Sequence, residues 1–371
     1  MQKRIVIMLS ILYFGLLLFS GYAFCQSDGG EYVPMFRGNS ARTGGYNEAG
    51  VPVFHDLKWK FETDKRIYSS PTVMDATVYF GSNDENLYCV DIETGEELWR
   101  FETGGDVYSS PAIVGGVVYF GSGDNNLYAV DALTGREVWR FETGGWVSTS
   151  PCVVDNVVYF GSWDGNLYAV ERATGSEIWR FAADIIAYSS PSVSGGMIFL
   201  GSWDGNLYAV DTATGLEQWR FKTGSVIDST PCVTGGVVYF GSGDKKLYAV
   251  DIQTGKKIWR FKTRGKIDSS PAVSGGVVYF GSSDTNLYAV EADTGRELWR
   301  FETENIIVSS PCVTGGTAYV GSWDGNLYAV DIDTGRELWR FTTEDSIQSS
   351  PCTVKGVIFF GSWDGSLYAV E

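Results

Sequence analysis

The feature that most constrains this sequence is a unit of forty residues that recurs eight times without any change of spacing. Every unit carries a tryptophan in a Trp-x-Phe element. A fixed period of about 20 to 50 residues is typical of solenoids, propellers and other repeat architectures. The eight tryptophans are Trp59, Trp99, Trp139, Trp179, Trp219, Trp259, Trp299 and Trp339.

Each unit contains signals for four short strands. The first strand is predicted over SSPxV and is followed by a Gly-Gly-type turn. A run such as VVYFGS, rich in β-branched and aromatic residues, forms the second strand. An Asp-Gly-type turn precedes the third strand, NLYAVD, and an Asp-x-x-Thr-Gly turn precedes the fourth, ExWRF. Four strands every forty residues is the spacing of propeller blades. We therefore predict an all-β fold, an eight-bladed β-propeller with four-stranded antiparallel blades.

The two ends of the repeat predict how the ring closes. The last unit stops at Glu371, after its third strand. Residues 57–63, LKWKFET, have the sequence of a fourth strand without a unit before it. We predict that this N-terminal strand completes the last blade, because that pairing removes an open sheet edge. The propeller is then expected to comprise residues 57–371.

Two stretches carry a resemblance to a known family. The run AVDIDTGRELW at residues 329–339 resembles the tryptophan-docking motif of the PQQ-like β-propeller repeat family, and PMFRGNSARTGG at residues 34–45 resembles its lead-in segment. The family includes quinoprotein alcohol dehydrogenases and the outer-membrane-assembly propeller of bacteria. The resemblance covers about residues 34–371 and implies the fold, with the eight repeat tryptophans as structural docking residues. It does not assign a function, because one fold serves many sites.

The N-terminus has the layout of an export signal. Lys3 and Arg4 precede an apolar run over residues 5–19, so we predict a signal peptide at residues 1–25 and a lead-in at 26–56 that packs irregularly on the ring. Two alternatives stay open: the apolar run is about long enough for an uncleaved membrane anchor, and Cys25 could be lipidated. All three place the propeller outside the cytoplasm, in the periplasm, at the cell surface or secreted.

The charge excludes some partners. The formal net charge is −17, which argues against nucleic acid because binding at phosphates draws on Lys and Arg. It also argues against anionic membrane surfaces, so membrane contact is expected only through the N-terminal segment.

The cysteines predict packing rather than a disulfide framework. Cys152, Cys232, Cys312 and Cys352 share one repeat position, where other units carry Ala or Thr or Ser. Such a position is expected to be small and buried. The alternative is a disulfide between Cys312 and Cys352, which lie on neighbouring predicted blades.

Few residues support catalysis. The single histidine, His55, lies in the lead-in, and no metal-binding or nucleotide-binding motif is present. The aspartates that follow Gly-Ser-x recur in every unit, as expected for turn residues. Unlike quinoprotein dehydrogenases, the chain has no long insertions, no adjacent cysteine pair and no Cys-x-x-Cys-His motif. We predict no catalytic residue, no metal site and no cofactor, with PQQ and calcium as the alternative.

Positions that differ between repeats are the candidates for binding. Because antiparallel strands alternate in direction, the fourth-to-first and second-to-third loops share one face, and this variation falls on that face. The first strand is innermost, so the residues before it should surround the channel mouth. The rival interpretation is that loop tips vary without function. The candidate binding residues are Tyr68, Tyr108, Trp146, Tyr188, Asp228, Asp268, Gln348, Trp163, Trp203, Trp323 and Trp363.

These observations predict a non-catalytic extracytoplasmic binding or scaffold propeller that contacts a protein or small ligand through its variable loop face. One alternative is a PQQ- and calcium-binding enzyme similar to the quinoprotein dehydrogenases. The other is a glycan-binding propeller in which Trp163, Trp203, Trp323 and Trp363 stack on sugar rings.

Overall fold

A computed structural model describes residues 35–45 and 50–371, so the predicted signal peptide at residues 1–25 lies outside the described residues. The described chain forms eight four-stranded antiparallel sheets arranged as a ring, which confirms the eight-bladed propeller. In this part of the chain no helix has the length and apolar character needed to span a membrane.

The four strands of each blade run in order from the channel to the outside. The innermost strands are β2 (Thr72–Met74), β6 (Ala112–Val114), β10 (Cys152–Val154), β14 (Ser192–Ser194), β18 (Cys232–Thr234), β22 (Ala272–Ser274), β26 (Cys312–Thr314) and β30 (Cys352–Val354). The second strands are β3 (Thr77–Gly81), β7 (Val117–Gly121), β11 (Val157–Gly161), β15 (Met197–Gly201), β19 (Val237–Ser242), β23 (Val277–Gly281), β27 (Thr317–Gly321) and β31 (Val357–Gly361).

The outer two strands of each blade carry the most regular part of the repeat. The third strands are β4 (Asn86–Asp91), β8 (Asn126–Asp131), β12 (Asn166–Glu171), β16 (Asn206–Asp211), β20 (Lys246–Asp251), β24 (Asn286–Glu291), β28 (Asn326–Asp331) and β32 (Ser366–Val370). The outermost strands are β5 (Glu97–Glu102), β9 (Glu137–Glu142), β13 (Glu177–Ala182), β17 (Glu217–Lys222), β21 (Lys257–Lys262), β25 (Glu297–Glu302), β29 (Glu337–Thr342) and β1 (Leu57–Glu62). We number the blades 1 to 8 in chain order, from the blade of β2 to the blade of β30.

The N-terminal strand closes the ring as predicted. Strand β1 pairs antiparallel with β32, with Trp59 opposite Ala369 and Phe61 opposite Leu367. Blade 8 therefore combines the first and last strands of the described propeller, which leaves the ring without an incomplete blade.

The eight repeat tryptophans join neighbouring blades. Each indole N–H donates to a backbone carbonyl of the next blade, or of the lead-in in one case, at 2.8 to 3.1 Å. A glycine with positive φ lies under the ring of every repeat tryptophan except Trp339; a Cβ on Gly135 would be 2.7 Å from Trp99. This close approach explains why Thr-Gly recurs in the turn. Around the closure, Trp59 of blade 8 donates to Ile92 of blade 1.

A ring of hydroxyl groups surrounds the channel. The backbone N–H of the second residue in each Ser-Ser-Pro-type start donates to the hydroxyl of its counterpart in the next blade, at 2.9 to 3.1 Å. The expectation that these residues belong to the first strand was wrong, since that strand begins after the proline, which has no N–H to donate. The hydroxyl ring consists of Ser70, Ser110, Ser150, Ser190, Thr230, Ser270, Ser310 and Ser350.

Residues 35–45, which we call the plug, cross the channel. Four inner strands donate a backbone N–H to plug carbonyls. Arg42 is fully buried and donates to the carbonyls of Ser150, Pro151 and Pro191 at 2.9 to 3.3 Å. Arg37 donates to the Ser270 carbonyl at 2.9 Å. This part of the lead-in therefore lies inside the ring rather than on its surface, and it closes the channel on the side away from the loop face.

The shared cysteine position is buried beside the plug, as expected for a small apolar site. Cys152 lies 3.8 Å from the Ser40 carbonyl and Cys232 lies 4.0 Å from the Thr43 carbonyl. Cys312 and Cys352 are both buried thiols, so the alternative of a disulfide between them was wrong.

The repeated aspartates serve the turns between second and third strands. Asp124 accepts hydrogen bonds from the Asn126 N–H, from the Tyr128 hydroxyl at 2.7 Å and from the Gly104 N–H of the preceding segment at 2.8 Å. The equivalent Tyr–Asp bond is present in all eight blades. These carboxylates therefore stabilise the blades through local donors, and only Asp244 has a buried oxygen without a partner among the described residues.

Candidate binding cup

The side chains before the inner strands line a cavity at the channel mouth, which we call the cup. Each blade contributes the residue that precedes its Ser-Ser-Pro-type start. Phe36 of the plug and the hydroxyl ring form the floor, and the cavity measures about 430 Å³. That volume falls within the range of small-molecule sites. The eight wall residues, in blade order, are Tyr68, Tyr108, Ser148, Tyr188, Asp228, Asp268, Val308 and Gln348.

Most of the candidate binding residues lie together in this cavity. Those that line the cup are Tyr68, Tyr108, Tyr188, Asp228, Asp268, Gln348, Trp323 and Trp363. Trp146, Trp163 and Trp203 do not line the cup and lie at its rim. The ring centroids of Trp146 and Trp163 are 5.2 Å apart, and those of Trp163 and Trp203 are 5.6 Å apart.

An unbroken chain of ring contacts follows the mouth over six blades. The centroid distance is 4.9 Å between Trp323 and Trp363, and 5.1 Å between Trp363 and Tyr68. Tyr68 then contacts Tyr108 at 5.0 Å, and Tyr108 contacts Trp146 at 6.3 Å. Aromatic pairs at these separations attract one another beyond the area they bury. The aromatic side of the cup is therefore preformed.

The tryptophans at the rim are held differently from Trp323 and Trp363, which line the cup. Trp203 donates its indole N–H to Asp228 at 2.6 Å, and Trp163 donates to Ser148 at 2.8 Å. The indole N–H groups of Trp323 and Trp363 are buried and have no acceptor among the described residues. These two rings are held by tilted ring contacts and, for Trp363, by the Arg66 guanidinium, which lies 4.6 Å from the ring centroid.

Two partly buried carboxylates stand side by side in the wall. Asp228 and Asp268 belong to neighbouring blades 5 and 6, at the position where other blades carry Tyr, Ser, Val or Gln. Burial raises the pKa of Asp228. Burial and the charge of Asp228 raise the pKa of Asp268 to about 6, although the nearby Lys266 opposes the shift. No Lys or Arg is among the residues that line the cup.

Blades 5 and 6 carry no rim tryptophan of their own, although the Trp203 indole of blade 4 reaches across to Asp228. The residue after Gly-Ser is tryptophan in blades 3, 4, 7 and 8, but it is Gly243 in blade 5 and Ser283 in blade 6. Asn83 and Gly123 occupy the position in blades 1 and 2. In a ring of eight, blades 3 and 4 face blades 7 and 8, so the tryptophan pairs lie on opposite sides of the mouth. The two gaps also face each other and leave a passage on the side of Asp268, beside the Trp203 indole that contacts Asp228.

The cup does not fit PQQ with calcium. PQQ carries three carboxylates, and no basic side chain lines the cup to receive them. Calcium takes six to eight oxygen ligands, whereas the wall offers two carboxylates and the Gln348 amide. Within the described residues, no group of three or more His, Cys, Asp or Glu side chains could hold a metal ion.

Sequence reasoning missed the floor of the cup. Phe36 comes from the lead-in, 32 positions before Tyr68 in the sequence, and nothing in the repeat pattern indicates that the two meet. The sequence signal that could have indicated a segment inside the channel is the pair Arg37 and Arg42. Each guanidinium carries several N–H donors, and a segment surrounded by backbone carbonyls needs such donors.

A sequence model of the family described as outer membrane protein assembly factor BamB matches residues 56–180, 134–260 and 247–371. The chain belongs to this BamB family. The matches overlap and together span all eight blades, in agreement with the resemblance of the repeat to PQQ-like propellers. A search of curated proteins found no match.

Solved structures share the BamB-type architecture. BamB from Moraxella catarrhalis superposes with a TM-score of 0.75 at 18% identity, over 86% of this chain and 100% of that one. A quinohemoprotein alcohol dehydrogenase from Comamonas testosteroni gives 0.77 at 16% identity, over 91% and 80%. A europium-containing methanol dehydrogenase gives 0.77 at 16% identity, over 89% and 90%. Such identities show the fold alone, so function depends on the site.

Proposed function

We propose that this protein is a non-catalytic binding propeller of the cell envelope, which holds a partner at its loop face and uses the cup as the central pocket. The observation that supports this most strongly is the asymmetry of the cup. The blades are nearly uniform in their cores, but the wall changes from aromatic in blades 1, 2 and 4 to acidic in blades 5 and 6. The family description and the predicted export signal support a location outside the cytoplasm.

The chemistry of the cup favours binding over catalysis. Among the residues that line it there is no histidine, lysine or cysteine to act as a base or nucleophile. The hydroxyls of the ring already accept hydrogen bonds from neighbouring blades, as Ser110 does from the Ser70 N–H. Asp228 is engaged by Trp203. Binding of a partner requires no chemical reaction of these hydroxyl and carboxyl groups. Stacking of a glycan on the tryptophans stays a prediction from the sequence.

Site-specific crosslinking tests which face meets the partner. A photoreactive amino acid replaces Trp146, which is 43% exposed at the rim, in intact cells of the source organism. The matched control replaces Leu133, which is 86% exposed on the opposite face in an Asp-x-x-Thr-Gly turn. We expect a discrete protein adduct from position 146 and none from position 133. Adducts only from position 133, or equal adducts from both, would overturn the proposal.

A further inference from the structure

We propose that the cup binds an organic cation, with an ammonium or guanidinium group between Asp228 and Asp268 and the attached apolar chain against Tyr68 and Tyr108. This inference rests on the proposed function, since it names the chemistry that the same site recognises. It follows from the arrangement of the wall, the rim and the charges.

The wall is polarised across the channel. Neighbouring inner strands contact one another around the whole ring, including β2 with β30, so blade 5 lies opposite blade 1 and blade 6 opposite blade 2. Asp228 and Asp268 therefore face Tyr68 and Tyr108 across the mouth. The tyrosine rings are in contact at 5.0 Å and present an apolar surface of fixed geometry. A ligand with a charged end and an apolar body matches both halves of the wall.

The two carboxylates are unfavourable without a cation. They are partly buried on adjacent blades. The charge of Asp228 raises the cost of charging Asp268, and the hydrogen bond from Trp203 offsets the burial of Asp228 only in part. Lys266 offsets this only in part, since its side chain is exposed outside the cup. A ligand cation placed between them would neutralise the wall in a site of low solvent access, where charge pairs are stronger than in water.

The aromatic side of the cup also favours a positive charge. Tyr188 lies beside Asp228, and Trp363 and Trp323 complete the wall. Faces of tyrosine and tryptophan attract cations through the ring quadrupole, and aromatic cages for ammonium groups use this effect. The carboxylates would repel an anionic ligand, and a neutral ligand would gain hydrogen bonds from them but no charge pairing.

The passage at the rim admits such a group. Gly243 and Ser283 replace the rim tryptophan in the two acidic blades, so the mouth is open on the side of Asp268, while Trp203 contacts one oxygen of Asp228. The cation can belong to a free amine or to a lysine side chain of a protein partner, since both present the same ammonium group. The cup volume of about 430 Å³ accommodates either.

Calorimetric titration of the protein without its predicted signal peptide, residues 26–371, tests the inference with two pairs of probes. Phenethylamine is compared with neutral 2-phenylethanol, and N-acetyl-lysine methylamide is compared with its ε-acetylated form. We expect each cationic probe that binds to exceed its neutral partner in affinity by about tenfold or more. Binding of the lysine probe would indicate a protein side chain, and binding of phenethylamine alone would indicate a free amine. Equal affinities within both pairs would overturn the inference.

Variants locate the charge that matters. The pair Asp228→Asn and Asp268→Asn should lower the affinity for the cationic probe by about tenfold or more. The control pair Glu304→Gln and Glu344→Gln removes the same charge from exposed positions outside the cup and should change the affinity by less than about twofold. Cation binding that survives the asparagine pair would also overturn the inference.

The outcome separates this inference from the proposed function. If no cation binds and crosslinks from position 146 persist, the inference fails and the partner-binding face stands. If cations bind in the cup but crosslinks arise only from position 133, the cup chemistry stands and the proposed face is wrong.

Discussion

The indole N–H of Trp339 donates to the backbone carbonyl of Val51 at 2.8 Å, across 288 positions of the sequence. The other seven repeat tryptophans find their acceptor 33 positions away, in the next blade or, for Trp59, in blade 1. Between blades 7 and 8 the lead-in supplies this acceptor, and Phe54 packs on Trp339 with 5.6 Å between ring centroids. The lead-in is thus part of the ring as well as of the channel.

Replacing Trp339 with phenylalanine tests this junction. Trp339→Phe removes the donor and leaves the Val51 carbonyl without it, so we expect a loss of about 1 to 3 kcal/mol in unfolding free energy, measured by chemical denaturation. Trp259→Phe is the matched control, since Trp259 donates to Ala292 at 2.8 Å inside the repeat. If the lead-in did not stabilise the ring, Trp339→Phe would leave the unfolding free energy unchanged, whereas Trp259→Phe would lower it.

The plug depends on its buried arginine. Arg42→Met removes the donors to the carbonyls of Ser150, Pro151 and Pro191 and should cost about 2 kcal/mol or more. It should also expose the plug to limited proteolysis. Arg296→Met, at a side chain that is 67% exposed, should change stability by less than about 0.5 kcal/mol. Equal effects of the two substitutions would contradict the role of the plug.

Asp268 should make stability depend on pH. Its pKa in the folded state is about 6, above the ordinary value of a carboxyl, because of burial and the charge of Asp228. Between the ordinary pKa and about 6 the folded state binds more protons than the unfolded state, so stability falls as pH rises through this window. Asp268→Asn should therefore raise the unfolding free energy at pH 7 by about 1 to 2 kcal/mol, allowing for partial exposure.

The measurement is the melting temperature of both proteins across this pH window. We expect the difference between Asp268→Asn and the wild type to vanish below the ordinary carboxyl pKa and to reach its full size above pH 6. The groups that face Asp268 are Asp228 and Lys266. A gain in stability that is the same at low and neutral pH would show that packing, not charge, is responsible.

PQQ should not bind at micromolar concentration, with or without calcium. The wall of the cup presents carboxylates to a ligand that is itself a tricarboxylate, and no Lys or Arg lines the cavity. Calorimetric titration with PQQ, with calcium present and absent, checks this. The variant Asp228→Asn with Asp268→Asn serves as control, because removing both charges should weaken any repulsion. Saturable, calcium-dependent binding to the wild type would contradict the cofactor-free interpretation.

The position of the site was more predictable than its shape. The repeats serve as their own alignment, so Tyr68, Tyr108, Asp228 and Asp268 could be singled out and placed at the mouth from strand alternation alone. Trp163 and Trp203 were selected by the same logic, yet they lie at the rim and not in the cup. Whether a side chain at a loop tip turns inward depends on its neighbours: the Trp203 indole is held by Asp228 in the next blade.

The sequence alone determined the number of blades, the order of their strands, the closure by β1 and the turns, because these follow from local signals repeated at a constant spacing. Only the tertiary structure decided what fills the channel. The plug bonds to backbone carbonyls and N–H groups, as Arg42 does with Pro191, and backbone groups leave no mark in the sequence of the blades. The hydroxyl ring and the polarised cup have the same origin, since each forms only when residues from different blades meet around a closed ring.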